Sequence, residues 1–224
     1  MRALLTALLA ATLSTPADDA GMQATGRLAG TVTLTLTPSA RSTASAYESR
    51  GVTARPKPQP ESRNVIIFVD GVPGGRDRKV QAAIEQKNEQ FVPHVVAITT
   101  GSSVDFPNAD PFFHNVFSLS RGATFDLGRY APGTSRSHVF RRAGIVKVFC
   151  QIHSHMSAVV RVFDHGWFTI PDDTGSFAIE GIPAGERTVV AWHERIGESR
   201  NRITIRPGQT TQVGFALPVL ESDK

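Results

Sequence analysis

One stretch about two-thirds of the way along the chain joins a strand pattern to metal-binding side chains. Residues 146–156 read Val-Lys-Val-Phe-Cys-Gln-Ile-His-Ser-His-Met. Apolar residues alternate with Lys147 and Phe149, which predicts a strand with Cys150 on its apolar face. The loop that follows carries three further donors, His153, His155 and Met156. Thiolate, imidazole and thioether are soft ligands that suit copper, so we expect a β-scaffold with a copper-binding loop at a strand end.

A site on this loop needs a second imidazole, and His114 is the best candidate. In the stretch Phe-Phe-His-Asn-Val-Phe-Ser it shares one strand face with Val116. We expect Asn115, directly after it, to tie the two ligand-bearing segments together through backbone hydrogen bonds. The alternative is structural: His114 would be a hydrogen-bonded core histidine and Cys150 a small buried apolar residue.

The composition favours an all-β fold. Apolar residues make up 40% and charged residues 20% of the 224 residues, and 19 Gly and 14 Pro are spread along the chain. This pattern is typical of many short strands separated by turns. The net charge of +4 comes from scattered basic residues. We therefore expect no nucleic-acid partner.

The N-terminus predicts export. Residues 1–17 combine one Arg, a short apolar run and small residues ending at Ala17, which is typical of a secretory signal peptide. The alternative is a buried N-terminal helix. No other stretch is apolar enough to span a membrane, so we expect a mature protein in the periplasm. A lone Cys in an oxidising compartment favours metal ligation.

The turn signals predict two β domains. Five short strands near the C-terminus make only half a sandwich, so we expect N-terminal strands at 28–36 and 65–69 to complete it. The predicted divisions are the following: 26–70 for N-terminal strands with a flexible loop at 38–63, 79–165 for a metal-binding domain, and 166–219 for a smaller C-terminal β-sandwich.

Three motifs together resemble the cupredoxin family. They are Gly101-x-x-Val-Asp-Phe-Pro-Asn, His114-Asn-Val-Phe, and Gly144-x-x-x-Val-Phe-Cys150-x-x-His153-x-x-Met156. The short spacing from Cys150 to Met156 is most similar to amicyanin. The resemblance spans roughly residues 91–163 and implies a Greek-key β-sandwich. It also implies one type 1 copper held by His114, Cys150, His153 and Met156, and one-electron transfer with a cytochrome or a periplasmic dehydrogenase.

The chain departs from this pattern inside the loop. The family usually has Pro near the ligand His, whereas this chain has Ile152 and Ser154. His155 stands where an apolar residue is usual, which leaves it as an alternative fourth ligand to Met156. We expect His94, His138 and His165 not to bind the metal.

A second, weaker resemblance covers the C-terminal part. Asp173-Thr-Gly-Ser-Phe-Ala-Ile-Glu-Gly-Ile-Pro-Ala-Gly-Glu-Arg-Thr-Val-Val-Ala-Trp-His looks like a carboxypeptidase-regulatory-like, or transthyretin-like, β-sandwich. Such modules are generally structural or adhesive. The two resemblances together are similar to bacterial periplasmic proteins described as plastocyanin-like or methylamine-utilisation-like.

Other functions remain open at this stage. The first is a periplasmic copper carrier or sensor without a redox role. The second is a metal-free module that binds proteins or glycans. We expect no enzymatic activity, because the sequence has no Ser-His-Asp pattern, no phosphate-binding loop and no second Cys for a binuclear copper centre.

Overall fold

The computed structural model describes residues 24–37, 61–72 and 79–220. In these ranges the chain forms seventeen strands and a 3-10 helix at Glu61–Asn64. The strands are β1 Thr25–Thr37, β2 Val65–Asp70, β3 Gln81–Ala83, β4 Glu85–Gln86, β5 Phe91–Val92, β6 Val95–Thr99, β7 Ser103–Pro107, β8 His114–Ser120, β9 Ala123–Tyr130, β10 Ser135–Val139, β11 Gly144–Phe149, β12 Ser157–Phe163, β13 Phe168–Thr169, β14 Ser176–Pro183, β15 Gly185–His193, β16 Gly197–Ile205 and β17 Thr210–Leu220. The all-β fold class is confirmed. The predicted signal peptide at 1–17 and most of the predicted loop at 38–63 lie outside the described residues.

The first sandwich carries the metal-binding motifs. A five-stranded sheet in the order β6-β12-β11-β8-β9 packs on a three-stranded sheet in the order β10-β7-β3. Strand β12 runs parallel to β6 and antiparallel to β11. Alternate residues of these strands point inward because successive side chains of a strand leave opposite faces. Their core includes Phe106, Val116, Phe140, Val148 and Met156.

N-terminal and C-terminal strands build the second sandwich together. One sheet has the order β14-β1-β17 and the other β13-β2-β15-β16. Strand β1 pairs antiparallel with β14 and parallel with β17, which sets Val32 opposite Phe215. Strand β2 pairs with β15, which sets Ile67 opposite Ala191. The N-terminal strands thus supply the partners that five C-terminal strands alone would lack.

A third core joins the two sandwiches. Strand β2 is buried on both faces: Ile67 packs inside the second sandwich, while Ile66 and Phe68 face the first. Val159 of β12 and Val190 of β15 lie in the same shared core. This explains why β2 reads as a continuous apolar run, which is the pattern of a strand covered on both sides.

Several element bounds differ from the sequence predictions. The stretch 91–99 forms two strands, β5 and β6, although its pattern is that of one apolar run. Residues 61–63, assigned to the loop, belong to the 3-10 helix. Strand β16 begins at Gly197, six residues before its own apolar stretch at 203–205. In the described part of the chain, none of the helices has the length and apolar character needed to cross a membrane.

Candidate metal centre

Two antiparallel strands bring the predicted ligands to one end of the first sandwich. His114 is the first residue of β8, and Cys150 directly follows the last residue of β11. Phe117 and Phe149 pair across these strands, so the start of one meets the end of the other. His114 is 0% exposed and Cys150 is 3% exposed. Sheet pairing thus buries an imidazole and a thiol side by side.

Three donor atoms meet at this end of the sandwich. The Sγ of Cys150 lies 3.6 Å from Nδ1 of His114 and 3.9 Å from Nδ1 of His153. The two Nδ1 atoms lie 3.1 Å apart. Metal bonds to nitrogen and sulfur are about 2.0–2.3 Å long, so donors on one ion lie within about 4–4.6 Å of each other. The three residues therefore fit a single metal ion.

The loop after Cys150 is closed on itself. The amide of Cys150 donates to the carbonyl of Met156 over 3.3 Å, and the amide of Met156 donates to the carbonyl of His153 over 3.0 Å. Met156 is 1% exposed and packs in the core of the first sandwich. This short turn keeps the thioether residue beside the His153 and Cys150 positions.

Asn115 connects β8 to this loop. Its Oδ1 accepts a hydrogen bond from the amide of Gln151 over 2.6 Å, and the residue is buried. The structure thus places Asn115 between the two ligand-bearing segments: it follows His114 directly, and its partner Gln151 follows Cys150 directly. Such a link restrains the distance between those two donors.

Asp110 is a site residue that the sequence reasoning missed. Its Oδ2 lies 2.9 Å from Nε2 of His114, and the carboxylate is 4% exposed. Burial raises its pKa, but hydrogen bonds from the amides of Glu89 and Asn88 and from His114 outweigh burial, so the pKa of Asp110 stays below its ordinary value. The available signal in the sequence is an Asp four residues before the candidate ligand.

His153 is the partly exposed donor of the group. Burial, with repulsion from neighbouring His114, lowers the pKa of His153, and this favours the neutral ring that binds metals. The ring of Phe112 lies 5.2 Å from that of His114 and 5.3 Å from that of His153. Phe113, by contrast, is 56% exposed. Phe112 is therefore the phenylalanine that lies against the two imidazole rings.

Four other histidines lie outside the group of three donors. His155 is 60% exposed, and its Nε2 lies 3.4 Å from Oε2 of Glu89. His94 contacts Ser157 and Glu194. His138 stacks on Phe125, and His165 lies beside Phe163. Among the described residues, the compact group of donors comprises His114, Cys150 and His153.

Comparisons with known proteins give matches only among solved structures. No family model matches the chain, and no curated protein matches it. A copper-containing nitrite reductase from Thermus scotoductus SA-01 is 22% identical with a TM-score of 0.36; the match covers 38% of this chain and 23% of the enzyme. This chain thus spans less than a quarter of the reductase.

Two small copper proteins match over nearly their whole length. A purple cupredoxin from Nitrosopumilus maritimus is 25% identical, with a TM-score of 0.33, over 36% of this chain and 98% of its own. A single-residue mutant of amicyanin in its Cu(I) form is 16% identical, with a TM-score of 0.35, over 43% of this chain and 97% of its own.

One sequence expectation needs correction here. The expectation of no enzymatic activity is contradicted by one comparison: the similar solved structures include an enzyme, the nitrite reductase, of which this chain spans 23%. Missing hydrolase and phosphate-loop motifs exclude only the chemistries that use those motifs.

Proposed function

We propose that this chain is a periplasmic type 1 copper protein that transfers single electrons between protein partners. The observation that carries the proposal is the meeting of two imidazole nitrogens and one thiol sulfur, all within 4.8 Å of one another. Two His and one Cys with a weakly bound Met form the ligand set of blue-copper sites.

The ligands have distinct roles in this proposal. His114, Cys150 and His153 hold the ion, and Met156 supplies a weak fourth ligand from the closed loop. Copper, when bound, changes its oxidation state by one electron. The two hydrogen bonds between Cys150, His153 and Met156, together with the Asn115 link, keep the donors in place during that change. Rigid ligands reduce the reorganisation that electron transfer requires.

The path for the electron is His153. It is the partly exposed donor, whereas His114 and Cys150 are buried. The Phe112 ring shields His114 and His153 from water. A partner that docks over His153 would therefore approach the site without opening it. We propose a cytochrome or a periplasmic dehydrogenase as that partner, reached after export through the signal peptide at 1–17.

Spectroscopy of the copper-loaded protein tests the proposal. We expect the oxidised protein to show intense visible absorption from thiolate-to-copper charge transfer. Cys150→Ser should abolish this absorption, and the loop variant Ser154→Ala should retain it. His155→Ala should also retain it, because His155 faces Glu89 rather than the three donors. Rapid mixing with a reduced cytochrome should then bleach the colour.

Two results would contradict the proposal. A colourless Cu(II) protein with ordinary hyperfine splitting would exclude a type 1 site. Fast loss of Cu(I) to a chelator, combined with no electron exchange with a cytochrome, would favour the copper carrier over the electron-transfer protein.

A further inference from the structure

We propose that Asp110 is a positioning residue for the metal centre: it fixes His114 as the tautomer whose Nδ1 is available to the metal. This inference rests on the proposed function for the identity of the ion, copper. Its basis in the structure is the arrangement of donors around one buried carboxylate, and His114 is the sole candidate ligand that this carboxylate touches among the described residues.

Three donors converge on the carboxylate of Asp110. The amide of Asn88 donates to Oδ1 over 2.5 Å, and the amide of Glu89 donates to Oδ2 over 2.9 Å. Nε2 of His114 lies 2.9 Å from Oδ2 as well. The carboxylate is 4% exposed, so water hardly competes for these oxygens. Both oxygens of Asp110 therefore act as acceptors.

This arrangement determines where the hydrogen of His114 lies. A backbone amide can only donate, and an ionised carboxylate has no hydrogen to give. Nε2 of His114 must therefore carry the hydrogen that it shares with Asp110. A neutral imidazole carries one hydrogen only, so Nδ1 keeps its lone pair. That lone pair faces the Sγ of Cys150 and Nδ1 of His153.

The turn whose amides donate to Asp110 has an unusual backbone conformation. Asn88 and Glu89 have φ angles of 53° and 55°, in the left-handed region that residues with side chains rarely adopt. Consecutive amides in such a turn form a concave site for an anion. The same turn reaches the metal loop, since the Glu89 carboxylate lies 3.4 Å from His155. A strained turn that cradles one carboxylate points to a role beyond filling space.

The simpler alternative is that Asp110 only caps this turn. Capping accounts for the hydrogen bonds from Asn88 and Glu89, but it does not require the contact with His114. The two alternatives differ in what they predict for the imidazole. Only positioning predicts a single tautomer of His114 and a metal affinity that depends on the Asp110 charge.

The test uses the metal-free full chain and its Asp110→Asn variant. In the wild type, nitrogen NMR of the imidazole should show His114 with its hydrogen on Nε2. In the variant, one carboxylate oxygen becomes an NH₂ group that cannot accept, so the two tautomers should mix. Titration against a chelator should show copper affinity about 10–100-fold weaker. Asp105→Asn, the same charge change next to Gln81, should keep the wild-type affinity.

Each outcome decides the question. A wild-type His114 with its hydrogen on Nδ1 overturns the proposal, even if the variant does not fold. An unchanged copper affinity in folded Asp110→Asn overturns it too, while the copper site stands. If the wild type binds no copper at all, the proposed function fails, and the wild-type tautomer still decides the role of Asp110.

Discussion

At the scale of single residues, Asn115 joins two segments that are 36 positions apart. Its Oδ1 is the acceptor for the loop amide of Gln151. Asn115→Ala would leave that amide without its acceptor and would free the loop that carries Cys150. We expect a loss of about 1 kcal/mol in the free energy of unfolding, because one hydrogen bond contributes about 0.5–1.5 kcal/mol and Gln151 is an exposed residue. Copper affinity should fall about 10–100-fold, measured by chelator competition.

The matched control for this variant is Asn201→Ala. Asn201 donates an exposed side-chain hydrogen bond to Gly214 in the second sandwich. Its loss should change the free energy of unfolding by about 0.5 kcal/mol or less and leave copper affinity unchanged. Equal copper affinities for Asn115→Ala and the wild type would show that Asn115 does not restrain the ligands.

Glu61 provides a prediction for pH. The hydrogen bond from buried His193 lowers the pKa of Glu61, and burial opposes this effect. The hydrogen bond and the charge of Arg195 lower the pKa further. The pKa of Glu61 is about 2, compared with an ordinary value of 4.5. A carboxyl whose folded pKa is lowered stabilises the fold above its ordinary pKa. That stability is lost as pH falls through the folded pKa. The contribution is thus complete above pH 4.5 and declines towards pH 2.

Glu61→Gln should therefore cost stability at neutral pH only. We expect a loss of about 1–2 kcal/mol at pH 7, since hydrogen bonds to charged groups contribute about 1.5–3 kcal/mol and Glu61 is partly exposed. Urea unfolding between pH 7 and pH 2 should show the difference from wild type shrinking. The exposed Glu186→Gln serves as control. A difference that persists undiminished at pH 2 would refute the ion-pair explanation.

Residue chemistry explains what the sequence could predict of the site. Cys150 is the chain's one cysteine, so its place at a strand end drew attention to His153 and His114. The role of Asp110 could not be predicted, because the amides of Asn88 and Glu89 that bind it come from a turn about 22 positions away. Backbone amides exist at every position, so no residue type marks them in advance.

At the scale of elements, a polar bridge connects the second sandwich to the metal loop. Glu194, next to the end of β15, lies 2.8 Å from Nε2 of His94. Nδ1 of His94 lies 3.0 Å from the carbonyl of Ser157, the residue after Met156. The His94 carbonyl accepts from the amide of Val159. His94 thus holds the start of β12 through two contacts, and Glu194 of the second sandwich holds His94.

Breaking this bridge should loosen the strand that follows the metal loop. The hydrogen bond from His94 lowers the pKa of Glu194; burial opposes it, and the charges of His94 and Lys147 add to it, so Glu194 is ionised at pH 7. We expect Glu194→Gln to cost about 1 kcal/mol, because the pair is partly exposed. Hydrogen exchange of the amides of residues 157–159 should become faster.

The control is Glu180→Gln, which removes the same charge from an exposed pair with Arg27 in the second sandwich. It should leave exchange at 157–159 unchanged. If both variants alter exchange there equally, the effect is one of overall stability and not of the bridge.

The bounds of β2 and β16 show when a sequence pattern predicts a strand and when it does not. Strand β2 was predicted well because five consecutive buried residues are all apolar. The first part of strand β16 has no apolar alternation, because partly buried Ser199 and Asn201 alternate with exposed Arg200 and Arg202. Its pairing with β15 over nine residues supplies the order that its composition does not signal. Tertiary pairing overrides weak local preference in such strands.

At the scale of the whole molecule, the shared core predicts that both sandwiches unfold as one unit. Val189 and Val190 are neighbours in β15 that are both 0% exposed, yet Val189 faces the second sandwich's own core and Val190 faces the shared core. Truncating either to Ala should cost about 2 kcal/mol through transfer and cavity terms. Only the Val190 change should weaken the coupling between the sandwiches.

The chain's two tryptophans make this coupling measurable. Trp167 lies in the core of the second sandwich and Trp192 in the shared core. Their fluorescence therefore reports unfolding at a distance from the candidate metal centre. Copper at about a thousand times its dissociation constant should add about 4 kcal/mol to the stability of whatever unfolds with the site. We expect the tryptophan midpoint in urea to rise with copper in the wild type and in Val189→Ala, and to rise less in Val190→Ala. An unchanged tryptophan midpoint in the copper-loaded wild type would mean that the two sandwiches unfold independently despite their common core.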